Sequence, residues 1–228
     1  MLTSWELAQK GVLLSSANPI DVPAARPSAA GPGARPEWIS GSDLLSAAYA
    51  LAAEAHGDQR RATDQEPFLD HVVEVGRLLH DAGFDDEIVA AGLLHDAVER
   101  GTLSETRLRT EVDEEISALV LALTEDAAID SFAKRKEALR EQVQAAGSQA
   151  ITVFAADKLS DIRGLRRGID GASDSIEARM GTTVGGMAGH YSESVAMIEA
   201  SDPASEFVHA LHAELDALAD AAPAARAA

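Results

Sequence analysis

The stretch Ile88-Val89-Ala90-Ala91-Gly92-Leu93-Leu94-His95-Asp96-Ala97-Val98-Glu99 sets an adjacent histidine and aspartate into an apolar run. A segment this apolar reads as a buried core helix. Burying an imidazole beside a carboxylate is costly unless something pairs with both, and one metal ion satisfies the two together. Two further potential ligands lie in similarly apolar segments. His71 sits in Phe68-Leu69-Asp70-His71-Val72-Val73, and Asp157 sits in Ile151-Thr152-Val153-Phe154-Ala155-Ala156-Asp157-Lys158-Leu159. A metal site built from His71, the His95-Asp96 pair and Asp157 is hydrolase chemistry.

Outward from that run, the pattern is helical throughout. Apolar spacing, caps and stops predict helices at about 42–57, 67–82, 85–99, 112–124, 131–146, 148–167, 176–200 and 203–220. Ala, Leu, Glu and Arg dominate these stretches, which favours helix, and few segments alternate with the two-residue period of a strand. Gly83 and Gly147 read as helix stops. Residues 168–174 and 181–189 are Gly-rich and read as irregular, and His56 to Glu66 reads as a polar loop. Five of the eight prolines fall between Pro19 and Pro36, among Ala, Gly and Ser. Such a segment cannot continue a helix and has little to bury. The expectation is therefore an all-α domain over residues 40–222, starting at the N-cap cluster Ser40-Gly41-Ser42-Asp43, with a flexible leader at 1–39 and a frayed tail at 223–228.

Composition narrows the chemistry. The 228 residues suffice for one domain with a substantial core. There is no cysteine, so disulfides, thiolate metal sites and cysteine nucleophiles are excluded, and any ion has only N and O ligands. Two histidines and two carboxylates suit Mn, Fe, Co, Zn or Mg. The net charge of −19 repels phosphate backbones, which argues against a nucleic-acid polymer as partner. An anionic nucleotide would need local positive charge in its pocket. No apolar run approaches the roughly 20 residues of a membrane span, and Lys10 followed by Gly11-Val12-Leu13-Leu14 is not a secretory signal. A cytoplasmic protein is the expectation, and the oligomeric state is left open.

Several residues near the pair are candidates for the chemistry. Glu99 lies four residues after His95 and three after Asp96, on their helical face. It is the candidate to orient or deprotonate the attacking water. Arg100 has three open readings: a pair with Asp96, a contact to a substrate phosphate, or a solvated cation at a helix end. Asp161 shares the face of Asp157, as a support for it, a contact to a ribose hydroxyl, or a surface cap. His56 is a brace for Arg61 or substrate, or a structural residue. His80, His209 and His212 read as surface histidines. The basic clusters Lys134-Arg135-Lys136 and Arg163, Arg166, Arg167 read as solvated faces or as phosphate-steering groups. The second is the stronger steering candidate because it follows Asp157 on one helix.

In this order and context the residues resemble the HD superfamily of metal-dependent phosphohydrolases. His56-Gly57-Asp58-Gln59-Arg60-Arg61-Ala62-Thr63 and Glu66-Pro67-Phe68-Leu69-Asp70-His71 look like the family segment H-x-G-Q-x-R-K-[ST]-G-x-P-Y-x-x-H. Ala91 to Glu99 looks like A-A-L-L-H-D-x-V-E-D, and Ala155 to Ile162 looks like K-L-A-D-[RK]-L-x-N. The combination is similar to the hydrolase domain of RelA/SpoT proteins and their small stand-alone relatives, over about residues 42–220. Those are Mn-dependent enzymes that remove the 3′-pyrophosphate from the guanosine alarmones ppGpp and pppGpp. The resemblance implies His71, His95, Asp96 and Asp157 as ligands of a divalent ion, Mn²⁺ by analogy. It implies Glu99 at the catalytic water and Arg61 at the nucleotide; beside them Arg100 is a further catalytic candidate, and Lys158 and Asp161 are further substrate-binding candidates. Three positions depart from the family: Ala62 replaces a Lys, Arg100 an Asp, and Asp161 an Asn. The ligand set is intact while the nucleotide-facing set is altered. The alternatives are therefore an HD hydrolase of another nucleotide, or a nucleotide-binding sensor without turnover.

Overall fold

The computed structural model describes residues 35–171 and 176–221. Most of the leader expected at 1–39, and the tail expected at 223–228, lie outside those residues. Among the described residues the elements are helices, with one isolated antiparallel bridge between Arg60 and Pro67. None of these helices is long and apolar enough to cross a membrane.

The apolar run around His95 occupies the centre. Helix α4 (Asp86–Leu94) is buried at every position from Ile88 to Leu94. It packs against α2 (Asp43–His56), α3 (Phe68–Asp81), α6 (Glu114–Ala122) and the long α8 (Ser148–Gly171). Helix α8 in turn packs against α7 (Phe132–Ala146), α10 (Val184–Ser201) and α11 (Val208–Ala221). Val89, Leu93 and Leu94 meet Leu79, Phe154, Leu159 and Ile162 in one core. Each such residue, fully buried, stabilises the fold by about 1.5–3 kcal/mol before the entropy of ordering it is counted.

Two glycine pairs set how closely the site-bearing helices approach. Gly76 on α3 faces Gly92 on α4: a Cβ at Gly92 would lie 2.5 Å from Leu79 Cδ1, and one at Gly76 would lie 2.8 Å from Leu93 Cδ2. With no Cβ on either, the helices close up and carry the rings of His71 and His95 to 5.2 Å between centroids. On α8, Gly164 lies under the Arg61 guanidinium and Gly168 under the Thr63 carbonyl, where a Cβ would fall 2.5 Å and 2.3 Å from the nearest atoms.

Four sequence expectations are corrected. The helix expected at 85–99 ends at Leu94. Beyond it the bonding changes register: Ala97 N–H donates to Leu94 O, Arg100 and Gly101 N–H both donate to Asp96 O, and His95 Nδ1 donates to Gly92 O at 2.8 Å. The Gly92 carbonyl is the acceptor that a continuing helix would use four residues on. Burial persists through this turn, so the apolar pattern hides the break. Second, α8 runs on to Gly171 through the Gly-rich segment expected to be irregular, because Gly168 is needed for close packing and not for a turn. Residues 172–175 lie outside the described residues. Third, the helix expected at 176–200 is two, α9 (Ile176–Met180) and α10, separated at Gly181, whose φ is 65°. Thr183 restarts the chain by capping Gly186 N–H, so residues 184–189 are helical rather than irregular. Fourth, two short helices went unread. In α1 (Glu37–Ser40) Ile39 is wholly buried, and α5 (Glu105–Glu111) is capped by Ser104. Each buries one residue, too few for a periodicity to register.

Candidate metal centre and cleft

Three segments bring the candidate ligands together. His71 lies in the first turn of α3, His95 and Asp96 follow the end of α4, and Asp157 lies within α8. His71 Nε2 is 3.4 Å from Asp157 Oδ1 and 3.6 Å from Asp96 Oδ2. His95 Nε2 is 3.4 Å from both the same Asp157 oxygen and Asp96 Oδ2. The donor atoms of His71, His95 and Asp157 all lie within 4.8 Å of one another, and all three side chains are buried.

The far side of each ring fixes its proton. His95 Nδ1 faces the Gly92 carbonyl, which only accepts, so this nitrogen carries the hydrogen. Ser160 Oγ donates to Glu74 Oε2 at 2.8 Å, leaving it to accept from His71 Nδ1 at 2.9 Å. Each imidazole therefore turns its Nε2 toward the carboxylates. Two ring nitrogens and two carboxylate oxygens converge there, and His95 Nε2 is buried without a hydrogen-bond partner. Such an arrangement demands a cation. Burial opposes charge on His95, yet Asp96 and Asp157 outweigh it and hold its pKa well above the ordinary value. Burial likewise pushes the two aspartates up, but His95 beside Asp96, and Lys158 and His95 beside Asp157, hold both well below the usual carboxylate range. The N₂O₂ donor set, with no thiolate, fits a borderline or hard divalent ion.

A cleft of about 200 Å³ opens over these atoms. Glu99 and Arg100 stand on one wall. Glu99 Oε2 accepts the Glu125 N–H at 2.9 Å, and Oε1 is 3.5 Å from Arg100 Nη2. Burial, then Asp96, raises the Glu99 pKa against the pull of Arg100. Arg100 Nε lies 3.7 Å from Asp96 Oδ1, a loose pair, and its side chain remains 49% exposed, open to a ligand. Its backbone is pinned by Gln59 Nε2, which donates to the Arg100 carbonyl at 2.8 Å.

Arg61, Lys158 and Asp161 also line the cleft. Arg61 is buried, with Nη2 donating to Asp161 Oδ1 at 3.1 Å. Lys158 Nζ sits 2.8 Å from Asp157 Oδ2 and 2.8 Å from Asp161 Oδ2. The pair Asp161 and Arg61 thus satisfies itself across the loop, and Lys158 ties it to the candidate ligand Asp157. The imidazole of His56 braces Gln59 rather than Arg61, with Nδ1 3.2 Å from Oε1, and stacks on Phe68 at 4.7 Å.

The steering cluster preferred from sequence is corrected. Arg163 pairs with Glu74 and Glu214, Arg166 with Glu214, and Arg167 with Asp64. Of the two clusters it is the other that lines the cleft, with Arg135 and Lys136 on α7. Sequence reasoning also missed Ser160, whose signal was its position three residues after Asp157 on the same face of α8. It missed Glu125, and the apolar lining from Phe132, Met180, Met187 and Tyr191, for which spacing gave no signal. Of the three outlying histidines, His80 and His212 are exposed and paired with Asp81 and Glu199.

An all-helical bundle holding two histidines and two aspartates around one point defines a class of metal-binding helical domains. The HD domain family matches residues 48–167, a span that includes all four candidate ligands, and the chain belongs to that family. The GTP pyrophosphokinase rsh of Brucella ovis is 33% identical over 127 residues, 54% of this chain and 17% of the relative. The chain therefore spans about a sixth of the length of the Brucella relatives it matches. Guanosine-3′,5′-bis(diphosphate) 3′-pyrophosphohydrolase MESH1 of Xenopus tropicalis is 30% identical over 131 residues, 56% of this chain and 73% of that protein. Among solved structures, a metazoan ortholog of SpoT described as hydrolysing ppGpp superposes with a TM-score of 0.60 at 22% identity, covering 78% of this chain and 94% of that one. That likeness speaks to the fold. The lmo0812 protein of Listeria monocytogenes superposes with a TM-score of 0.57 at 25% identity, covering 68% and 98%.

Proposed function

We propose that this chain is a divalent-metal-dependent phosphohydrolase of a small nucleotide, and that it removes the 3′-pyrophosphate of guanosine 3′,5′-bis(diphosphate). The observation that carries the reading is the convergence of His71 Nε2, Asp96 Oδ2 and Asp157 Oδ1 on the orphaned His95 Nε2, in a chain related to MESH1. His71, His95, Asp96 and Asp157 would hold the ion, with Mn²⁺ assigned by analogy and a cytoplasmic location going with a nucleotide substrate. When bound, the ion supplies Lewis acidity toward a phosphoryl oxygen and makes a nearby water more acidic.

The chain's own groups do the rest. Water adds to phosphorus, the bond from phosphorus to the ribose 3′ oxygen breaks, and that oxygen leaves with a proton. Glu99, its pKa raised by burial, takes the proton of the water. Arg100, half exposed and only loosely paired, swings onto the phosphoryl oxygens. Arg61, Lys158 and Asp161 form the wall against which the nucleotide rests.

The test is metal-free protein reconstituted with Mn²⁺ and given ppGpp. GDP and pyrophosphate, lost in Asp157→Ala, support the reading; turnover that survives His95→Ala or Asp96→Ala overturns it. A second reading keeps the ion and changes the nucleotide. It is favoured by Asp161, whose oxygens are taken up by Arg61 and Lys158, and by the cation at Arg100. Faster release of phosphate from a 5′-phosphate or another 3′-phosphate nucleotide than from ppGpp selects it. Tight ppGpp binding without turnover selects a sensor.

A further inference from the structure

Glu99 is held from outside the cage by a part of the chain that the proposed chemistry does not use. Its Oε2 accepts the backbone N–H of Glu125, in the segment joining α6 to α7. That segment is fastened from α7. Arg135 Nε donates to Glu125 Oε2 at 2.7 Å, and Lys136 Nζ donates to Glu125 Oε1. Arg135 Nη1 also donates to the Ile129 carbonyl at 2.8 Å, at the far end of the same segment. Gln142, about two helical turns on, places its Nε2 within 3.0–3.1 Å of the Leu121, Ala122 and Thr124 carbonyls, which share its two N–H donors. The Glu125 carboxylate is 8% exposed and the Lys136 side chain 9%.

We infer that Glu125, Arg135 and Lys136 are positioning residues: their ion triad helps fix the Glu125 backbone so that its N–H holds Glu99 in the orientation proposed for taking the water's proton. The inference rests on the Glu99 reading above. Without the triad, the Glu125 carboxylate loses both its anchors, while the peptide that carries the donating N–H keeps the bond from Gln142 to the Thr124 carbonyl; among the described residues the other partner of Glu99 is Arg100, at 3.5 Å. A one-ångström error in a catalytic group costs on the order of a hundredfold in rate. Both cations are already spent on Glu125. They shape the cleft wall without serving as primary phosphate contacts, which separates them in kind from the half-exposed Arg100.

The experiment has two arms. The first reads geometry without turnover: the ¹H–¹⁵N resonance of the Glu125 amide, downfield when it donates to a carboxylate, is followed in metal-free protein. Glu99→Gln and Lys136→Met are each expected to move it upfield, and Lys136→Arg to leave it in place. The second arm reads steady-state kinetics on ppGpp with Mn²⁺. Lys136→Met is expected to lower kcat by about 10- to 100-fold with KM and Mn²⁺ affinity unchanged, and Lys136→Arg to recover most of it. The double variant Glu125→Gln with Lys136→Met removes both charges together. It keeps a folded protein for the same readings where the single change does not. An amide that does not respond to Glu99→Gln overturns the proposal, as does a rise in KM at constant kcat in Lys136→Met, which marks a phosphate contact. Wild-type turnover in Glu99→Gln, with the amide shift still present, instead overturns the Glu99 reading on which the proposal stands.

Discussion

Substituting Gly164 by alanine tests the packing that places Arg61. Gly164 is buried in the interior of α8, and an added Cβ would lie 2.5 Å from Arg61 Nη2, 2.6 Å from Cζ and 2.7 Å from Nη1. The whole guanidinium must lift by about 1 Å to restore ordinary contact, which breaks its 3.1 Å bond to Asp161. Overpacking costs about 1–3 kcal/mol. Loss of a charge-assisted bond costs about 1.5–3 kcal/mol, and alanine in a helix interior returns about 1 kcal/mol. The net expectation is a loss of about 1.5–5 kcal/mol, a fall in Tm of about 3–20 °C for a chain of this size. The control reverses the sign. With Arg61→Ala already in place the Cβ meets no guanidinium, and Gly164→Ala is expected to stabilise by about 1 kcal/mol through helix propensity alone. Denaturant melts of the wild type, both single variants and the double variant close the cycle. An equal cost for Gly164→Ala in both backgrounds refutes the argument that Gly164 exists to admit Arg61.

Other perturbations address the cage and the buried histidine. Asp157→Ala is expected to abolish Mn²⁺ binding by calorimetry. In the wild type, Mn²⁺ at a hundred times its Kd is expected to stabilise by about 2.7 kcal/mol, seen as a rise in Tm that EDTA reverses; no metal-dependent shift argues against the cage. Ser160→Ala leaves His71 Nδ1 without its partner, and is expected to weaken Mn²⁺ affinity by about 10- to 100-fold while the fold persists; unchanged affinity refutes the orienting role. His190 accepts from Arg140 through Nδ1, and burial, then Lys158, Lys136 and Arg140, drives its pKa down to about 2. Below its ordinary pKa the unfolded chain binds a proton that the folded chain refuses. Stability from this group is thus present above about pH 6.5 and falls by about 1.4 kcal/mol per pH unit as pH drops below it. His190→Gln is expected to flatten acid destabilisation by one proton in the linkage slope; an identical slope places His190 in water.

What the sequence made legible follows from what each residue costs to bury. His71, His95, Asp96 and Asp157 stood out because polar groups in apolar runs need a partner, and the fold brings these four side chains together. Most long helices were legible through their apolar period and caps. The break after Leu94 was not, since the turn that follows contains residues as buried as the helix. Arg166 was readable and misjudged: nine residues from Asp157 it lies about 180° round the helix, on the face that meets Glu214. Arg135 and Lys136 had no such clue, because α7 reaches the cleft only through tertiary packing. Gly164 and Gly92 were silent for the same reason, since a missing Cβ announces nothing until its neighbour is in place.

The cage also dictates an order of events during folding. His71 and Asp157 are separated by more than a third of the chain, and only His95 and Asp96 are close neighbours in sequence. An unfolded chain therefore offers an ion a single weak pair, with no chelate to nucleate structure around. The three segments must first close through α3, α4 and α8, paying loop-closure entropy from apolar contacts alone. On a ribosome the site is not born until α8 has emerged, long after the first histidine. An ion held there would bind the folded body and not the open chain, so it would add its binding free energy to the stability of the fold.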